Sequence, residues 1–146
     1  MRKLFYIFLL AFLSACGLNS SQEKSLNIAV AKYLMAVNSD LKLSRAAATH
    51  PEVLKYYKSR GHIAFKEIFE KETGIWQDAV IGKMEQEGRT IHVELKLLNS
   101  EEMENNKLHK RFSIFAISSD NGNSWFFVEE KDYNSKSCGT FKRLIK

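Results

Sequence analysis

The sequence predicts an α+β domain in which N-terminal helices pack on an antiparallel sheet of about four strands. Three observations predict it. Apolar residues recur at three- and four-residue steps over the first half of the chain. After Gly74 the apolar period changes from about 3.6 to two. The 146 residues, 45% apolar and 27% charged, suffice for one core and exclude bulk disorder.

Leu26, Val30, Tyr33, Leu34, Val37 and Leu41 form one stripe and predict a first helix from Ser25. Thr49-His50-Pro51 then breaks the chain. The single proline falls in the first turn of a second helix, where a missing N–H costs nothing. Val53, Leu54 and Tyr57 make the inner face of that helix, and Arg60-Gly61 reads as its C-cap. A third helix is predicted from about His62 to near Gly74, with Phe65, Ile68 and Phe69 on one side. Beyond it, Ile91, Val93, Leu95 and Leu97 alternate with Thr90, His92, Glu94 and Lys96, the mark of a half-buried strand. Residues 75–84 precede it as a partner strand, across the turn Glu85-Gln86-Glu87-Gly88. After a polar loop at 99–106, residues 112–118 and 125–129 predict two further strands. Helices first and strands afterwards is the α+β order, with the helices on one sheet face.

The N-terminus carries an address. Arg2 and Lys3 are followed by twelve uncharged, largely apolar residues, 4–15. As a helix these would extend about 18 Å, short of the roughly 30 Å hydrocarbon core of a bilayer. A basic start, a short apolar run and small residues before a cut are signal-peptide anatomy. Leu13-Ser14-Ala15-Cys16 resembles the lipobox of bacterial lipoproteins. The resemblance implies cleavage before Cys16, a diacylglycerol on its thiol, and an acyl chain such as palmitate on its new amino group. Two or three acyl chains anchor stably where one is marginal. Position 17 is Gly rather than the Asp that marks inner-membrane retention in Gram-negative lipoproteins. The resemblance therefore implies the outer membrane of the bacterial cell envelope, with the domain facing the periplasm. The expected organisation is residues 1–15 as signal peptide, 16–24 as lipid anchor and tether, and 25–146 as one domain. The leader takes two of the 22 basic side chains with it, leaving 20 against 17 acidic ones.

The element order resembles the cystatin-like, or NTF2-like, fold, in which helices pack into a strongly curved sheet and close a cone. Thr49-His50-Pro51, Gly61 and residues 65–69 stand where members of that fold place a Pro-containing step, a glycine and a short helix. The fold hosts enzymes, binders and assembly modules, so it names no activity. A cone of this kind would be lined by Phe65, Phe69, Trp76 and Phe112, a candidate apolar ligand site.

Ser118, Asp120, Gly122, Ser124 and Trp125 follow the spacing Ser-x-Asp-x-Gly-x-Ser-Trp, which resembles the Asp-box of sialidases. The physics is that of a hairpin tip. The Asp120 carboxylate accepts turn N–H groups, Gly122 supplies a positive φ and Trp125 seals the turn. A sialidase propeller needs several such blades and more than twice this length, so the box is read as structural. The alternating oxygen ligands of an EF-hand calcium loop are missing.

Asp78 is the one candidate for catalysis. If the hairpin turns at Glu87-Gly88, Met84 faces Ile91, Val80 faces Leu95 and Asp78 faces Leu97. Asp78 would then share the apolar face, and a desolvated carboxylate with a raised pKa can act as a general base. Enzymes of the ketosteroid isomerase type, similar in fold, place an acidic base in an apolar cone. A bulge or a one-residue slip would instead send Asp78 to solvent.

His50, His62, His92 and His109 show no i, i+3 or i, i+4 spacing, so no metal site is expected. His50 and His62 sit at expected helix starts, and His92 falls on the polar strand face beside Lys83. Cys138 loses its one potential partner if Cys16 is lipidated. No Gly-rich phosphate loop, nucleophile elbow or HExxH helix is present, and no cofactor is expected. Lys107, Lys110 and Arg111 would need stacking aromatics on their own face to bind nucleic acid, but the nearby Phe112 and Phe115 read as sheet core; facing lipid headgroups or solvent fits these charges better. The functional expectation is a lipid-anchored envelope protein whose domain binds an envelope partner or a small apolar ligand. The alternatives are a small enzyme using Asp78 and a module that pairs with a second copy through its sheet.

Overall fold

The computed structural model describes residues 17–62, 76–98, 112–135 and Phe141. In chain order these form helices α1 (Ser20–Asn38), α2 (Lys42–Ala48) and α3 (Pro51–Ser59), strands β1 (Asp78–Glu87), β2 (Thr90–Leu98), β3 (Phe112–Ser118) and β4 (Phe126–Glu129), and the short helix α4 (Glu130–Tyr133). The sheet is an open antiparallel meander in the order β1-β2-β3-β4, so the α+β architecture read from the sequence is the one observed. Among the described residues no helix is long and apolar enough to cross a membrane.

Helix α1 starts five residues earlier than its apolar stripe suggested. Asn19 Oδ1 accepts the Gln22 N–H at 2.9 Å, and Gln22 Oε1 accepts the Asn19 N–H at 2.9 Å. This reciprocal capping box satisfies two otherwise orphaned donors and nucleates the helix at Ser20. Leu18, just ahead of the cap, is buried in the core. The polar stretch expected as a tether over residues 17–24 is therefore mostly the cap and first turn of a helix. At its other end α1 stops at Asn38, where Asp40 adopts φ 51 and the Leu41 N–H bonds back to Ala36 at 2.9 Å. Leu41 is thereby removed from the stripe and takes the N-cap position of α2, a helix the apolar period does not separate from α1.

The chain then crosses the edge of β4. Thr49 bridges Phe127 in parallel, and the His50 N–H donates to the Phe127 carbonyl at 3.0 Å. Extended backbone at His50, enforced by Pro51 behind it, turns the chain onto the opposite side of the sheet. The helices consequently lie on both faces rather than one. On the α1 face, Leu26, Tyr33 and Leu34 pack with Ile91, Val93, Leu95, Leu97, Ile114, Ala116 and Phe127. On the other, Val53 of α3 and Tyr133 of α4 pack with Phe115, Ile117, Val128 and Phe141. Strict alternation along β2 and β3 produces the two cores.

Strand β1 carries a bulge. Its lower half pairs Asp78 with Leu98, Ala79 with Leu97 and Ile81 with Leu95, whereas its upper half pairs Met84 with Val93 and Gln86 with Ile91. The extra residue lies at Gly82-Lys83, where Glu94 Oε2 accepts the Lys83 N–H at 3.3 Å. The expected pairs Asp78–Leu97, Val80–Leu95 and Met84–Ile91 are thus each displaced, and below the bulge the two strand faces exchange.

Candidate functional site

Helix α1 packs over one face of the sheet, so the open volume lies outside that helix. A groove of about 790 Å³ runs between the outer flank of α1, the end of α2 and the β3–β4 loop. Its volume is in the range of small-molecule sites. At the end of α2 the groove is lined by Ala47 and Ala48, side chains too short to reach across. Ile28 and Met35, one heptad apart on α1, line it at 50% and 60% exposure. Lys24 and Lys32 border it. Trp125 and Phe127 also contribute to the lining; the Phe127 ring stacks on Tyr33 at 4.5 Å. The buried Trp125 Nε1–H has no hydrogen-bond partner among the described residues, a cost of about 1–3 kcal/mol.

The loop that closes one end is built around Asp120. Its Oδ1 accepts the Ser118 hydroxyl at 2.8 Å and the Asn123 and Ser124 amides at 3.1 and 2.9 Å; Oδ2 accepts the Ser124 hydroxyl at 2.6 Å. Those bonds, the Ser124 hydroxyl foremost, hold the Asp120 carboxyl down at about 2. Ser118 Oγ in turn accepts the Gly122 N–H at 2.8 Å. Gly122 has φ +84, and a Cβ there would lie 2.6 Å from Gln22 Cγ, so glycine is required twice over. Gln22 Nε2 donates to the Asn121 carbonyl at 3.0 Å and Ser25 Oγ to the Asn123 carbonyl at 3.2 Å, which stitches the loop to α1.

A second polar cluster sits where α2 meets β4. Buried Arg45 pairs with Glu129 at 3.2 Å, and Lys131 reaches the other Glu129 oxygen at 3.0 Å. Burial, with the Glu129 charge nearby, pushes the Tyr33 hydroxyl up to about 12. The void among these groups is about 10 Å³, room for one water at most and not for a substrate. On the opposite sheet face the Tyr57 hydroxyl donates to Asp132 at 2.7 Å, and His92 Nδ1 lies 2.8 Å from the Tyr133 hydroxyl. Burial above all, and the nearby His50 charge, pull the His92 imidazole down to about 4. His92 was expected on a solvated face; α4 covers it instead.

Asp78 is exposed, and its carboxylate accepts the neighbouring Ala79 N–H at 2.7 Å. The bulge has turned it away from the apolar face, and with that goes the desolvation its role as a base required. Trp76 is a core residue, its backbone clasped by Asn38 through bonds of 2.9 and 2.6 Å. Phe112 opens β3, with its backbone in register with Leu97. Phe65, Phe69, Cys16, His109 and Cys138 lie outside the described residues, as do residues 1–15 and the basic set Lys107, Lys110 and Arg111. His50 caps α3, its Nδ1 accepting the Glu52 N–H at 3.2 Å. Among the described residues no group of three or more His, Cys, Asp or Glu is placed to hold a metal ion. The groove residues Ile28 and Met35 were missed, although apolar residues seven apart and off the main stripe are a legible signal of a second face. No family model, curated protein or solved structure matches the chain.

Proposed function

We propose that this protein is a lipid-anchored component of a bacterial cell envelope, held at the outer membrane through Cys16 and facing the periplasm. Its folded domain holds an apolar ligand, or the apolar segment of an envelope partner, in the groove between α1 and α2. The observation that carries the binding reading is the pair Ile28 and Met35, half-exposed on the wall of a groove of about 790 Å³ lined also by Trp125 and Phe127. Lys24 and Lys32 at its border suit an acidic group on an otherwise apolar ligand. The lipobox-like Leu13-Ser14-Ala15-Cys16 behind a short apolar leader supports the anchor.

Each half has its own test. Cys16→Ser is expected to release the protein from the membrane fraction or leave the leader uncleaved; fractionation and migration like wild type would remove the anchor. Native mass spectrometry of the protein extracted from its own envelope is expected to show an added mass that Ile28→Glu eliminates. A bare monomer in both samples would end the binding reading, and a homodimer would favour pairing of two copies.

A further inference from the structure

Helix α1 leaves no slack between anchor and domain. Gly17, the residue directly after Cys16, already lies against β1, where a Cβ on it would come within 2.6 Å of Met84 Cε. Leu18 is 7% exposed and belongs to the core. Two Cα–Cα steps of about 3.8 Å each therefore separate the proposed lipid attachment point from the buried Leu18. A flexible tether would leave the domain free to tumble above the bilayer, whereas so short a connection does not.

The end of the molecule that holds Gly17 is a knitted surface. Three turns meet there: the first turn of α1, the β1–β2 turn and the β3–β4 loop. Gln22 Nε2 donates to the Asn121 carbonyl, the Asn121 N–H donates to the Arg89 carbonyl at 2.8 Å, and Gln86 Nε2 reaches Asn121 Oδ1 at 3.3 Å. Exposed Lys24 and Arg89 on these elements are suited to lipid phosphates, and exposed Asn123 and Ser124 add polar contacts for headgroups.

We infer that this end docks on the lipid headgroups, so that α1 stands away from the bilayer and the groove rises from the membrane surface. The inference rests on lipidation of Cys16. The Ser21 and Lys24 end of the groove then opens at headgroup level, and its Met35 and Ser44 end points away. Asp40, two residues past the C-terminal end of α1, is farther from the membrane by the length of the helix, about 28 Å for its 19 residues.

The test uses the full-length lipidated protein with Cys138→Ser. Single nitroxide labels are placed at Asn123→Cys or Asp40→Cys in vesicles of phosphatidylethanolamine and phosphatidylglycerol with gadolinium chelated to a fraction of the headgroups. Relaxation at position 123 is expected to be several-fold faster than at position 40. A Gly-Ser insertion of about twelve residues between Gly17 and Leu18 should erase that difference while the protein stays in the membrane. Mass spectrometry of the Cys16 peptide accompanies both. Equal relaxation at the two positions with Cys16 acylated, or a difference that the insertion leaves unchanged, overturns the docking alone. An unmodified Cys16 overturns the anchor and the docking with it.

Discussion

The two faces of the sheet are held by different chemistry. Under α1 the packing is mainly aliphatic: Leu26 and Leu34 on the helix against Ile91, Val93, Leu95, Leu97 and Ile114 on the strands. Across the sheet the centre is a ring stack, with Tyr133 on Phe115 at 3.7 Å between centroids, His92 bonded to its hydroxyl, and Tyr57 bonded to Asp132. The first face is stabilised by area removed from water, which does not depend on pH. The second contains an imidazole that is stable there only while neutral. Acid should therefore loosen the α3 and α4 side before the α1 side.

The largest effect tests the aliphatic face. Leu26→Ala, at a residue with no exposure, is expected to cost about 2–5 kcal/mol in denaturant unfolding. Val53→Ala on the other face removes less apolar surface and should cost about 1–3 kcal/mol. A larger loss at Val53 would break the contrast. Acid sharpens it. The folded pKa of His92 lies below the 6.5 of a free imidazole, so the unfolded chain binds protons first as pH falls. That stability is fully present above pH 6.5 and is lost as pH drops toward about 4. Amide exchange at pH 5 should quicken in α3 and α4 before α1, and His92→Phe should flatten the change. Asp120 adds a separate window, with its contribution lost as pH falls from 3.8 toward about 2.

Tyr133→Phe leaves the buried His92 Nδ1 without its hydroxyl partner, which should cost about 1–3 kcal/mol at neutral pH. A melting temperature equal to wild type would show that the ring stack alone holds that face. The smallest effect is expected at the exposed Asp78 on the bulged strand. Asp78→Asn should change stability by less than about 0.5 kcal/mol. A larger change would mean that the carboxylate has a partner beyond the Ala79 amide.

Several elements were legible because their signals are local. The alternation of β2, the spacing of the Asp120 hairpin and the placement of Pro51 at the start of α3 each depend on a few neighbouring residues. Two further signals are equally local. Asn19-Ser20-Ser21-Gln22 is a capping box, and Gly82 inside a strand is a bulge marker. Reading the first would have placed the start of α1 and removed the tether; reading the second would have turned Asp78 outward. The groove needed more, because it exists only where α1, α2 and the β3–β4 loop are brought together.

By itself the sequence determined the α+β class, the four strands and the presence of α1 and α3, since backbone propensity and apolar period act over a few residues. It also carries the lipobox-like Leu13-Ser14-Ala15-Cys16, a pattern of residue order rather than of folding. Only the tertiary structure decided that α3 lies across the sheet from α1, that His92 is covered, that Asp78 is exposed and that Leu18, two residues after Cys16, joins the core. Those outcomes depend on strand register and on contacts between residues far apart in the chain. A one-residue bulge can reverse them while the local pattern stays the same.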